Sequence, residues 1–462
     1  MSYPRLIIAG TQSGVGKTTA TLALLAALKA RGRRVQAFKV GPDFIDPGHH
    51  AAVTGRPSRN LDGWMLGRII SRQIFLHAAA DADISIIEGM MGLFDGSSPV
   101  SDEGSTAEIA KQLQVPVLLV IDGSALARSA AAMALGYARF DAGLRVAGVL
   151  FNRISGERHY QLLKTAVEVE TDLLVVGYLG TDPTVTIADR HLGLTMALEQ
   201  SERELYRRLG DAAAKTVDLD LVETLAASAG EMEISSPMEN RSRPSTVRPS
   251  VRVGVADDAA FCFYYSENVE LLEAEGAELI RFSPIKDHVL PEVDLLYLGG
   301  GYPELHGPSL ASNTAMRTAI RTFAERGGAI YAECGGMMYL TESIRDFEGH
   351  SHDMVGLFPA EAVMRKPGLT LGYRELEITS ACVLGEAGVT ARGHEFHYSS
   401  LVPRGELQRA CVLRDARGEP RGPDGLLAGN VLALYTHLHF SSQPLLARAL
   451  INSARTHARR MR

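Results

Sequence analysis

Cysteine is scarce in this chain: Cys262, Cys334, Cys382 and Cys411 are the only four among 462 residues. No two have the spacing of paired metal ligands, which argues against a cysteine-based zinc module or a disulfide framework and leaves each as a thiol. Long apolar stretches are also missing. Runs such as residues 115–121 fall far short of the roughly 20 residues a bilayer requires, so no membrane-spanning helix is expected. No long basic run stands out and the net charge is -7. A nucleic-acid footprint and an anionic membrane partner are therefore not expected. The first residues lack the apolar stretch and cleavage site of a secretory signal, so a cytoplasmic location and a small-molecule substrate are expected. Low-complexity sequence is confined to one internal stretch, and no short repeat is present.

The length exceeds what one core usually organises, so two domains are expected. Short apolar segments alternate with helical patterns in the first half: residues 6–9, 35–40, 84–87, 117–121, 146–151 and 175–179 read as strands. Several are apolar throughout, as buried parallel strands are. Between the first two, residues 18–31 carry apolar positions at helical spacing. A stretch crowded with Ser, Pro and Arg then runs up to Ser250 and reads as an exposed linker. The expected division is an N-terminal domain over 1–235, a linker over 236–250 and a C-terminal domain over 251–462. Strands are legible again at 251–256, 295–298, 329–332 and 431–434, so the second domain is also read as α/β.

The segment from Gly10 to Thr19 lies between a strand and a helix and contains Gly14, Gly16, Lys17, Thr18 and Thr19. Backbone amides and a helix N-terminus in that context surround phosphate, with Lys17 near the β- and γ-phosphates and Thr18 offering its hydroxyl to magnesium. Thr11 stands where the strict pattern has glycine, and Gln12 where partition-type and arsenical-pump ATPases carry an extra lysine. Both departures resemble the dethiobiotin-synthetase branch, whose members phosphorylate a carboxylate. Acids gather at strand ends: Glu88 as a ligand for magnesium or its water, and Asp43, Asp46 and Asp95 to order metal and substrate. Acids crowded near ATP need a cation between them, which implies Mg2+. Asn152 and Arg153, closing another strand, would contact adenine or simply form a turn.

In the second half, Glu333-Cys334-Gly335-Gly336 follows a strand with small residues, the makings of a turn that lifts a nucleophile off a sheet. A thiolate there would attack the side-chain amide of glutamine, leave a glutamyl thioester and release ammonia. Of the two histidines about a hundred residues downstream, His437 and His439, the first is taken as the base. Amides in the run Gly299-Gly300-Gly301, at Gly300 and Gly301, would form an oxyanion hole. Each piece alone has a bland reading, since a lone cysteine is more often an inert core residue.

Six segments together resemble one family along nearly the whole chain: residues 11–19, 39–46, 88–96, 299–304, 334–336 and 435–440. The chain is similar to the cobyrinic acid a,c-diamide synthases, of the cobyric-acid-synthase type of glutamine amidotransferases. The resemblance implies an N-terminal phosphate-loop, dethiobiotin-synthetase-like parallel sheet that binds ATP, magnesium and a corrin-type tetrapyrrole. It further implies a C-terminal class I glutamine-amidotransferase-like α/β domain with Cys334 as nucleophile and His437 as base. Two acetate carboxylates, a and c, would become amides through acyl phosphates. The wider class carries a glutamate where His439 stands here, which leaves open what orients His437. Hydrogenobyrinic acid and nickel-sirohydrochlorin are alternative substrates of the same chemistry. A phosphate-loop switch with an inert second domain is the alternative of a different class. A homodimer is the default assembly, dimers being the commonest.

Overall fold

A computed structural model describes residues 3–181, 189–190, 193–194, 200–232 and 251–461. The chain forms two compact units, Met1–Pro237 and Met238–Arg462, and the expected linker at 236–250 lies outside the described residues.

The first unit is built on a seven-stranded parallel sheet. In chain order its strands are β1 (Arg5–Gly10), β2 (Val35–Val40), β3 (Arg59–Leu61), β4 (Ile84–Gly92), β5 (Val117–Asp122), β6 (Val146–Ile154) and β7 (Leu174–Gly180). In space they run β3-β2-β4-β1-β5-β6-β7. Every residue of β1 and β2 is buried, as expected for strands covered on both faces. β1 lies between β4 and β5, so the loop that follows it emerges beside the carboxyl ends of both. In such sheets that edge is where ligands bind.

The helix Lys17–Ala30 is apolar on nearly every side after its first turn. It packs on the sheet and is covered by the helix Gln200–Thr216, whose Gly210 lies against Ala26. A helix buried on two faces has no polar stripe to keep. It ends at Arg31, and Gly32 takes a positive φ of 81° to turn the chain. β3, with the sequence Arg-Asn-Leu, is absent from the expected strands because nothing in so short and polar a segment carries an apolar signal.

The second unit centres on a ten-stranded sheet. Five parallel strands occur in the spatial order Ala277–Phe282, Val251–Ala256, Leu295–Leu298, Ala329–Glu333 and Val431–Leu434. The antiparallel strands Pro420–Ala428, Arg409–Arg414, Thr370–Ile378, Thr390–His397 and His437–Leu438 extend it. A four-stranded sheet is formed by Ser351–Asp353, Thr341–Arg345, Phe358–Met364 and Ser399–Pro403. The α/β alternation read from the sequence thus holds for the parallel strands, while most of residues 341–428 is β structure. Ala329–Glu333 pairs directly with Val431–Leu434, with Glu333 opposite Leu434. That register brings segments a hundred residues apart to one sheet edge. No helix among the described residues is long and apolar enough to cross a membrane.

Candidate active sites

In the first unit the turn after β1 is held open by glycines. Gly14 and Gly16 have φ of 79° and 92°, which L side chains rarely adopt. A Cβ on Gly16 would also stand 2.1 Å from Nδ2 of Asn152. Asn152 donates that amide to the carbonyl of Val15 at 2.9 Å, and Arg153 donates to the carbonyl of Gly14 at 2.8 Å while pairing with Asp122. Both residues therefore brace the phosphate loop, a role neither an adenine contact nor an ordinary turn would require. Their left- and right-hand neighbours in sequence give no sign of it.

Around this loop lies an open cavity of about 420 Å³, lined by Gly14, Gly16, Lys17, Thr18 and Thr19 and by Lys39, Asp43, Asp46 and Glu88, among others. Lys17 donates to the carbonyl of Gln12 at 3.2 Å. Burial and the Lys39 charge lower its pKa, against Glu88, Asp46 and Asp95. Thr18 Oγ1 donates to Glu88 Oε1 at 2.8 Å. Asp95, by contrast, turns its carboxylate back onto the amide of Gly92 at 2.9 Å. It closes a local turn and is not brought into the lining.

Lys39 is the residue that sequence reasoning underrated. Its ammonium binds Asp46, reaches Glu88 at 2.9 Å and lies 3.8 Å from Asp43. Burial would lower its pKa, but those three carboxylates outweigh it and hold the ammonium charged. Burial and the Glu88 carboxylate push Asp46 upward despite Lys39. Glu88 is kept well below its usual value: burial opposes ionisation, and Lys39 and His50 prevail. His50, also missed, meets Glu88 Oε2 at 2.7 Å and Ser58 at 3.1 Å. The crowding of acids is thus met by Lys39 itself, so crowding alone does not demand a metal. What fits magnesium is narrower: a threonine hydroxyl beside an ionised carboxylate at the start of a helix.

In the second unit Cys334 stands at the turn between its strand and the helix Gly335–Leu340 with φ 46° and ψ -102°. A non-glycine residue in that region stores strain of order 1–3 kcal/mol and is held there by its surroundings. Cys334 N donates to Leu434 O at 2.7 Å. A Cβ on Gly336 would fall 2.1 Å from Leu298 O, and one on Gly335 3.0 Å from Gly301 N. Only glycines permit so tight an approach.

The two oxyanion-hole candidates differ in their surroundings. Gly301 N lies over the turn at Cys334–Gly335, whereas a Cβ on Gly300 would meet Cε1 of His437 at 2.3 Å. Gly300 therefore makes room for the imidazole. His437 is delivered by a two-residue strand that pairs with Thr390–His397, opposite His394. The preceding turn is held by Asp424, which accepts from Tyr435 N, Thr436 N and Thr436 Oγ1. Burial, then His394 and His397, hold His437 well below its usual pKa. Burial and Glu304 raise the Cys334 thiol, whose Sγ lies 3.9 Å from the Phe396 carbonyl. Both shifts favour the uncharged forms, a neutral thiol beside a neutral imidazole.

Two family models match the chain: the CobQ/CobB/MinD/ParA nucleotide binding domain over residues 6–194, and the CobB/CobQ-like glutamine amidotransferase domain over residues 252–445. The chain is similar to the cobyrinate a,c-diamide synthase of Priestia megaterium, with 45% identity across 96% of this chain and 95% of that one. Identity to the protein of the same name in Syntrophotalea carbinolica is 44%, across 98% and 99% of the two chains. For that of Salmonella typhimurium it is 41%, across 97% and 98%.

Proposed function

Because this chain belongs to the cobyrinate a,c-diamide synthase family of glutamine-dependent amidating ligases in cobalamin biosynthesis, we propose that it converts the a- and c-acetate carboxylates of cobyrinic acid to amides with ATP. The observation that carries this reading is the strained Cys334 next to the strand end that leads to His437, in a chain whose other unit holds a lysine, a threonine and acids around a phosphate loop.

At the thiol site, Cys334 Sγ attacks the glutamine carboxamide carbon while its proton passes to His437. The developing oxyanion is received by the amides of Gly301 and Gly300. His437 returns the proton to the departing ammonia, and water hydrolyses the glutamyl thioester to glutamate. At the phosphate site, a carboxylate oxygen of the tetrapyrrole attacks the γ-phosphorus of ATP, and ADP leaves. Lys17, with the loop amides around Gly14 and Gly16 and the hydroxyl of Thr19, steadies the phosphate oxygens. Magnesium, held by Thr18 and Glu88, would neutralise charge on the β- and γ-phosphates. Lys39, Asp43 and Asp46 line the place of the incoming carboxylate. Ammonia then displaces phosphate from the acyl phosphate, because phosphate is a far better leaving group than oxide.

The test is incubation with ATP, magnesium, glutamine and cobyrinic acid, followed by mass spectrometry of the tetrapyrrole. Two successive carboxylate-to-amide conversions are expected. Glutamine hydrolysis with an unchanged corrin would redirect the substrate to hydrogenobyrinic acid or nickel-sirohydrochlorin. No glutaminase activity at all would return the chain to a phosphate-loop switch with an inert second unit.

A further inference from the structure

Glu333 directly precedes the nucleophile and is fully buried at the end of its strand. Its Oε1 accepts from Tyr331 Oη at 2.5 Å and from Leu438 N at 3.1 Å. Its Oε2 accepts from Tyr297 Oη at 3.2 Å and faces His437 Nδ1 at 4.0 Å. The carboxylate is thus fixed by three donors from three strands and aimed at the ring nitrogen of the base. His439, which stands where an acid orients the histidine in the wider amidotransferase class, is engaged elsewhere: its Nδ1 accepts from Ser441 N and its Nε2 lies 3.6 Å from Glu267.

We propose that Glu333 is the positioning residue that orients His437 and stabilises its imidazolium, which rests on the reading of Cys334 and His437 as nucleophile and base. As the thiol proton moves to His437, the sulfur electron pair forms the bond to carbon and the imidazole becomes cationic. The Glu333 carboxylate balances that charge from the Nδ1 side and takes no proton itself. His394 is stacked on His437 with centroids 5.0 Å apart, and burial, with Arg374 and His439, pushes it down to about 3. Burial raises Glu333 to about 7 in spite of its hydrogen bonds, so its ionised form is well populated at neutral pH.

Glu333→Gln separates charge from shape, since its carbonyl oxygen can still accept from Tyr331 and Leu438. The measurement is steady-state glutamine hydrolysis by the full chain, with Cys334→Ser and His437→Asn in parallel. The expected result is a fall in kcat of at least about tenfold with KM for glutamine unchanged, because an acid of this kind acts on the base and not on substrate binding. Glu333→Asp, which keeps the charge but draws it back by one methylene, is expected to fall between wild type and Gln. A Gln variant with wild-type kcat, or an Asp variant no better than Gln, overturns the role of Glu333. Hydrolysis that persists in His437→Asn instead overturns the base assignment beneath it.

Discussion

At Gly300 the space for one carbon is taken by the proposed base. A methyl group there would stand 2.3 Å from His437 Cε1, and the ring would have to move. Gly300→Ala is therefore expected to lower glutaminase kcat on the order of 100-fold, the usual consequence of displacing a catalytic group by about 1 Å. ATP affinity, read by calorimetry, should not change. The neighbouring cysteine shows the same economy of space: its φ of 46° is tolerated because Gly335 and Gly336 admit Gly301 and Leu298 so closely. Cys334 and His437 stand out in the sequence by residue type and position. Glu333 and Lys39 were not, because a single glutamate or lysine in a motif gives no sign of which atom it will face.

Among the elements, the phosphate loop after β1 depends on β6, two places away in the sheet. Asn152 at the end of β6 holds Val15 O, and Arg153, itself at φ 58°, holds Gly14 O. Asn152→Ala removes one bond to a buried carbonyl, worth about 1 kcal/mol. Weakening of ATP binding by roughly fivefold is expected from that, since about 1.4 kcal/mol corresponds to tenfold; calorimetric titration measures it. Unchanged affinity would mean that the loop keeps its shape without the brace. Lys39, near the end of β2, illustrates a similar dependence: Glu88 in the middle of β4 and Asp46 of the helix Ile45–Thr54 converge on its ammonium. An element boundary in the sequence gives no indication of such convergence.

For the molecule as a whole, two buried acids set a pH dependence of stability. Glu304 is raised from the usual 4.5 to about 7 by burial, only partly offset by its own backbone amide, and burial raises Glu333 to about 7 against hydrogen bonds from Tyr331, Leu438 and Tyr297. A folded pKa above the unfolded one means that the folded chain binds more protons between those values, so stability falls as pH rises from about 4.5 to about 7. For Glu304 the loss amounts to roughly 3 kcal/mol at about 1.4 kcal/mol per pH unit. Glu304→Gln should therefore raise the thermal midpoint at pH 8 while leaving it little changed at pH 5, as followed by calorimetric scans of the full chain. An equal shift at both pH values would show that ionisation of Glu304 is not the cause.

The amino-acid sequence by itself determined the phosphate loop, the strands of the parallel sheets, the strand-to-helix turn at Cys334 and the family, because each is written in contiguous residues: glycines where φ must be positive, apolar runs where both faces are buried, and a cysteine between a strand and small residues. Tertiary structure alone decided which acid meets which base. Strand pairing between residues 329–333 and 431–434 brings together groups a hundred residues apart, and burial then sets their charges. It assigned Lys39 to the acids, Asn152 to the loop, and Glu333 to the neighbourhood of His437, while returning Asp95 to its own turn. Contacts of that kind depend on register and side-chain direction across a sheet, and those exist only once the chain has folded.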